Sequence, residues 1–161
     1  MPVTPKSEIL RALYSGNKKR ATEVLSSDPE LDIFEAAAVG NDERVGQLLD
    51  VNPQAANAWA EDGFQPLGLA VFFGHPQTAR TLIGAGAEVN SASRNEFKVM
   101  PLHSACAVRD PDTRYELAKL LLECGADPNA RQQDEFTPLM EATQHGDDRL
   151  RELLVQHGAT G

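Results

Sequence analysis

Neither disulfide chemistry nor membrane insertion has support in this sequence. Only two of the 161 residues are cysteines, Cys106 and Cys124, and both fall in predicted helical segments where a buried free thiol is the expected state. No apolar run approaches the roughly 20 residues that a membrane-spanning helix needs. The N-terminal residues MPVTPKSEIL lack the charged start, apolar block and cleavage site of a secretory signal peptide. We therefore expect a cytoplasmic protein without a membrane partner.

Basic residues are also scarce. The chain has 15 lysines and arginines against 24 aspartates and glutamates, which gives a net charge of −9. An acidic surface repels phosphate backbones, so nucleic acid is not an expected partner. The one basic cluster, Lys18-Lys19-Arg20, is too short to indicate more than a solvated helix face. At 41% hydrophobic and 24% charged residues, the composition is that of a globular protein.

Motifs for metals and cofactors are missing as well. The four histidines show neither CxxC nor HExxH spacing, so we expect no metal site. The GAG at residues 84–86 follows a predicted helix and has no strand before it, which argues against a phosphate-binding loop. We therefore expect no cofactor.

What the sequence does contain is an internal repeat with a period of roughly 35 residues. Each copy opens with a proline-leucine pair and closes on a glycine-alanine pair. A fourth copy begins at Ile33 but lacks the opening proline. The three clear copies run from Pro66 to Ala87, from Pro101 to Ala126 and from Pro138 to Ala159.

Each copy is expected to form two short helices. A proline in the first turn of a helix leaves no N–H unpaired, so the Pro-Leu pair suits a helix start. Small residues follow, as in LHSAC, and the second half carries aliphatic residues at helical spacing, as at Leu117, Leu120 and Leu121. A glycine then suits a left-handed C-terminal cap, and a polar, turn-rich connector leads to the next copy.

At these motifs the sequence resembles the ankyrin repeat, whose copies open with TPLHxAA and close with LLxxGADxN. Here TPLM, MPLH and QPLG stand at the openings, and LLLECGADPNA stands at a close. The resemblance covers roughly residues 32 to 161 and implies an all-α ankyrin-repeat solenoid of stacked helix-turn-helix pairs with short β-turn fingers. The expected divisions are an N-terminal capping helix pair at 1–31, repeats at 32–62, 63–95 and 96–134, the last with an insertion, and a C-terminal capping repeat at 135–161.

One pair of residues keeps a catalytic alternative open. His103 and Cys106 are spaced i, i+3 on one predicted helix and so share a face, as a Cys-His enzyme or redox site would require. By the resemblance, His103 occupies a position that family members use in a structural hydrogen-bond network. Cys106 occupies a packed position that needs a small residue. We therefore expect no catalytic residues, with a small hydrolase or redox protein as the alternative.

The resemblance implies a binding surface on the concave face, built from the fingertips and the exposed sides of the first helices. Phe72 and Phe73 directly precede Gly74. Adjacent side chains of a helix point about 100° apart, so one buried stripe cannot hold both rings and at least one is expected to face a partner. The same register assigns two exposed positions to Gln144 and His145 in the last copy and to Ala38 and Val39 in the first.

Aromatic and acidic residues on the fingers extend this surface. The insertion in the third copy, within AVRDPDTR, is expected on a loop at its rim. Some finger aromatics have an alternative role in packing a finger against the stack, and the carboxylates favour a partner with basic residues around an apolar group. The predicted partner-binding residues are Trp59, Glu61, Asp62, Phe64, Phe72, Phe73, Phe97, Val99, Arg109, Asp110, Phe136, Gln144 and His145.

The sequence thus predicts a non-catalytic protein-protein interaction module, acting as an adaptor or as an inhibitor or immunity-type protein. Its partner is an unidentified protein, and no small-molecule substrate is expected. The protein is expected to be a monomer. Self-association of a structural protein through the aromatic face is the second alternative.

Overall fold

Ten α-helices and two short 3-10 helices make up most of the structure. The computed structural model describes residues 5–161, and no strand occurs in this part of the chain. The α-helices are α1 (Glu8–Tyr14), α2 (Lys18–Ser26), α3 (Ile33–Val39), α4 (Asp42–Val51), α5 (Pro66–Phe72), α6 (Pro76–Gly84), α7 (Pro101–Cys106), α8 (Pro111–Glu123), α9 (Pro138–Gln144) and α10 (Asp148–Gln156), and the 3-10 helices are Pro53–Asn57 and Gln133–Glu135.

Prolines and polar caps set where the helices begin. The five helices from α5 to α9 all start at a proline, including the three prolines that open the repeat copies. The other five start after a side chain that accepts a backbone N–H bond. In the best-formed example, Asp32 accepts the Glu35 N–H at 2.8 Å, and the Glu35 carboxylate accepts the Asp32 N–H at 3.0 Å.

The helices pack in two rows. α1, α3, α5, α7 and α9 contact one another in chain order, and α4, α6, α8 and α10 form a second row behind them. Small side chains such as Ala36, Ala70 and Ala105 are fully buried and let the first-row helices approach closely. The predicted class, an all-α solenoid of stacked helix pairs, is confirmed. No helix within residues 5–161 combines the length and apolar character needed to cross a bilayer.

Three asparagines tie consecutive helix pairs together, from the pair α3 and α4 to the pair α9 and α10. Asn90 donates from Nδ2 to the Gly125 carbonyl at 2.9 Å and accepts the Asp127 N–H at 2.8 Å. The side chain thereby satisfies a carbonyl at the end of one helix and an N–H of the connector that follows it, groups that would otherwise lack a protein partner. The equivalent pairs of bonds join Asn57 to Gly86 and Glu88, and Asn129 to Gly158 and Thr160.

The insertion of the third unit does not lie where we expected it. The extra residues were predicted on a loop, but they mainly lengthen α8, which has 13 residues against 9 in α6. The reason is a strong helix start, because Asp110 accepts the Thr113 N–H at 2.8 Å. Arg114 is 5% exposed, donates to the Val108 carbonyl at 2.7 Å and pairs with Asp147 at 2.8 Å. The short loop before α8 is therefore held against the start of α10.

Replacing Asn90 with alanine removes both of its bonds between units. We expect the free energy of unfolding to fall by about 1–3 kcal/mol, because each bond contributes about 0.5–1.5 kcal/mol. Urea denaturation followed by circular dichroism measures this change. Gln77→Ala, at an exposed position of α6, is the matched control and should stay within about 0.5 kcal/mol of the unmodified protein. An Asn90→Ala protein as stable as this control contradicts the role given to Asn90.

Candidate partner-binding groove

A groove opens between the first row of helices and two of the connectors. We call residues 58–64, 91–99 and 130–136 the first, second and third fingers. α1 and α5 form one wall of the groove, the first two fingers form the other, and the volume of the open groove is about 810 Å³. The lining residues are Pro5, Arg11, Tyr14, Ser15, Glu61, Asp62, Phe64, Phe72, Arg94, Asn95, Glu96, Phe97 and Val99.

Phe72 and Phe73 lie in different environments although they are adjacent. Phe72 is the last residue of α5, is 46% exposed and forms part of the groove wall. Phe73 is half-buried and packs against the hydrophobic core. The two rings meet edge to face with centroids 4.9 Å apart, and the Tyr14 ring lies 6.0 Å from Phe72 and 5.4 Å from Phe73. We call these three residues the aromatic cluster; in it, Phe73 supports the fold while Phe72 faces solvent.

Tyr14 connects α1 to the first finger. Its hydroxyl donates to the Asp62 carboxylate at 2.8 Å. Desolvation of the hydroxyl, and then this bond, raise the pKa of Tyr14, so the phenol remains a donor at neutral pH. The other oxygen of Asp62 accepts the Phe64 N–H at 3.2 Å. Asp62 therefore fixes both the turn of the finger and its distance from α1.

The first two fingers are held side by side by backbone contacts. Gly63 has a φ of 87°, and a Cβ at this position would lie 2.7 Å from the Arg94 carbonyl oxygen, so only glycine allows the approach. The Arg94 N–H donates to the Gly63 carbonyl at 2.8 Å. Asn95 donates to the Asp62 carbonyl at 3.2 Å and accepts the Phe97 N–H at 3.1 Å. The finger wall of the groove is therefore ordered by bonds that involve no partner.

Six of the thirteen predicted partner-binding residues line the groove, and the other seven do not. Phe73 packs behind Phe72, and the Trp59 ring carries the Arg94 guanidinium 3.9 Å from its centroid. Phe64 combines both expected roles, since it lines the groove and also packs against the core. The six lining residues are Glu61, Asp62, Phe64, Phe72, Phe97 and Val99; Arg109, Asp110, Gln144 and His145 are exposed outside the groove, and Phe136 is half-buried outside it.

The repeat register predicted the exposure of Ala38 wrongly. The sequence also contained a signal for a groove residue that we missed. Ala38 was expected to be exposed but is fully buried, because α3 packs closely on α5 and His75 Nε2 lies 2.9 Å from the Ala38 carbonyl oxygen. The missed residue is Tyr14. It stands two residues before Gly16, as Phe72 stands two residues before the glycine that follows it. An aromatic residue at this position was the signal.

His103 and Cys106 do not form a reactive pair in the structure. The His103 Nδ1 atom accepts the Met100 N–H at 3.3 Å, and Nε2 donates to the carbonyls of Ala130 and Phe136 at 3.1 and 3.2 Å. Burial lowers the pKa of His103 and raises the pKa of the fully buried Cys106 thiol. A catalytic thiol needs the opposite shift. Among residues 5–161, no three His, Cys, Asp or Glu side chains are grouped to hold a metal ion.

Comparisons with known proteins agree with this architecture. Residues 33–132 match the family model for ankyrin repeats (3 copies). An ankyrin repeat-containing protein of Treponema pallidum (strain Nichols) is 36% identical over 120 residues, which cover 74% of this chain and 38% of that protein. The ankyrin repeat and SOCS box protein 16 of Homo sapiens is 27% identical over 170 residues, covering 99% and 35%. The human neurogenic locus notch homolog protein 4 is 38% identical over 124 residues, covering 76% and 6%. The chain spans less than two-fifths of the length of each of these relatives.

Thiol labelling tests whether Cys106 is a buried structural residue or a reactive catalytic thiol. Cys106 is buried as expected, whereas the expectation of burial was wrong for Cys124, which is exposed. We therefore expect the native protein to react rapidly with one equivalent of Ellman's reagent at neutral pH. Cys124→Ser should remove this rapid reaction, and urea should restore one equivalent from Cys106. A rapid reaction of the native Cys124→Ser protein contradicts the structural role and supports a reactive Cys106.

Proposed function

Because the chain belongs to the ankyrin-repeat family, we propose that it is a non-catalytic adaptor or inhibitor that binds a partner protein in the groove around Phe72. Ankyrin repeats are a generic protein-protein interaction module. Stacked repeats present extended surfaces of this kind, and the groove lies between the fingers and the first row of helices. The proposed place of action is the cytoplasm.

The exposed ring of Phe72 is the observation that carries this proposal. Its 46% exposure is high for a phenylalanine of an ordered helix. Complete burial of a fully exposed ring contributes about 1.5–3 kcal/mol, so burial of the remaining 46% of Phe72 contributes about 0.7–1.4 kcal/mol and makes the ring an apolar anchor for a partner. Contacts with Tyr14 and Phe73 hold the ring in position before any partner arrives. Binding therefore costs little side-chain entropy at this residue.

Four of the predicted residues outside the groove extend the proposed binding surface. Gln144 and His145 end the last helix of the first row, and Arg109 and Asp110 lie on the loop before α8. All four are exposed. We propose that a partner long enough to leave the groove contacts these residues along the same row. They would contribute to specificity more than to affinity, because exposed polar contacts at a rim are individually weak.

Separate alanine variants of the two phenylalanines test the proposed function. Phe72→Ala should lower the free energy of unfolding by less than about 1 kcal/mol and abolish capture of the partner from lysate of the native host. Phe73→Ala should cost about 1–3 kcal/mol, because this half-buried ring packs against the core. Circular dichroism and affinity capture with mass spectrometry provide the two readouts.

Val155→Ala is the matched control for exposed apolar surface, since Val155 is 56% exposed on α10 and does not line the groove. It should retain capture. If Phe72→Ala captures the same proteins as Val155→Ala, the groove is not the binding site. If Phe72→Ala unfolds at much lower urea than Phe73→Ala, the division of roles within the aromatic cluster is wrong.

A further inference from the structure

We propose that the partner segment presents one large apolar side chain flanked by lysine or arginine. The inference rests on the proposed function, because it specifies the chemistry of the segment that the groove would bind. Three features of the groove support it: an apolar centre, cations that are already engaged by the protein itself, and carboxylates that remain available.

The centre of the groove is apolar on both walls. Phe72 is 46% exposed on the helix wall, and Phe97 is 44% exposed on the finger wall. Tyr14 and Val99 complete the apolar lining on the two sides. A volume of about 810 Å³ accommodates a large side chain together with parts of its neighbours. An aromatic or long aliphatic residue is therefore the central group of the occupant.

The two guanidinium groups that line the groove, those of Arg11 and Arg94, already interact with other groups of the protein. Arg11 donates from one nitrogen to the Lys6 carbonyl at 2.8 Å and to the Pro5 carbonyl at 3.4 Å. Arg94 lies over the Trp59 ring, 3.9 Å from its centroid. The protein itself thus supplies an interaction for each guanidinium group, so neither group needs an acidic residue of a partner.

The carboxylates of the groove are more available than its cations. Glu96 is exposed and makes neither a side-chain hydrogen bond nor an ion pair with any residue from 5 to 161. Glu61 pairs with Lys6 at 3.1 Å, but these side chains are 54% and 87% exposed, so a cation from a partner can replace Lys6 at little cost. The net charge of −9 also favours approach of a basic segment.

A phage-displayed library of random 12-residue peptides is the probe. Selection on the unmodified protein, after depletion on Phe72→Ala, should enrich peptides with an aromatic or long aliphatic residue next to lysine or arginine. For the best peptide, Glu96→Lys should raise the Kd about fivefold or more. Glu88→Lys changes the net charge equally at an exposed position outside the groove and should leave the Kd within about twofold.

The other outcomes distinguish a failure of this inference from a failure of the proposed function. Phe72-dependent peptides that are acidic or uncharged, or equal effects of the two glutamate variants, would overturn this inference and leave the proposed function standing. A library without any Phe72-dependent peptide would count against both. Sedimentation of the protein alone at micromolar concentration completes the test, since a dimer that Phe72→Ala dissociates would assign the groove to a second copy of this chain.

Discussion

The stack from α3 to α10 depends on the asparagine side chains that bridge consecutive helix pairs. Asn57, Asn90 and Asn129 each donate to a carbonyl at the end of one helix and accept an N–H from the connector behind it. These bonds fix where each of the three fingers starts. Asn57 also places the end of the first finger, because its backbone carbonyl accepts a bond from the Gln65 side chain at 3.0 Å, directly beyond that finger. The finger wall of the groove therefore begins at defined positions.

The sequence predicted the stack well because its signals are local. Pro66, Pro101 and Pro138 begin helices as expected, and the leucine spacing of the second helices matches their burial. Contacts between units were harder to predict, since they join residues about one repeat apart. Asn90 was visible in the repeat motif, but its partners across the unit boundary were not. The insertion was misplaced for a related reason, because the strength of the Asp110 cap decides between loop and helix.

The candidate groove was only partly predictable. The sequence showed that Phe72 and Phe73 could not share one buried stripe, but not which ring would be exposed. The outcome depends on Tyr14, which belongs to the first helix pair and packs against both rings. At the other end of the stack, the exposed apolar residues of α9 and α10 are Met140 and Val155, and neither helix contains an aromatic residue. The end of a stack therefore does not by itself produce an aromatic surface such as that of the groove.

If the surface around Phe72 meets the partner directly, a photoreactive residue at this position will crosslink to it. The test places p-benzoylphenylalanine at Phe72 in one protein and at Val51, which is 87% exposed at the end of α4 and outside the groove, in another. Both proteins are irradiated in lysate of the native host. We expect a discrete crosslinked protein from the Phe72 position and none in common with the Val51 position. Crosslinks to the same protein from both positions, or from Val51 alone, would contradict a direct contact at Phe72.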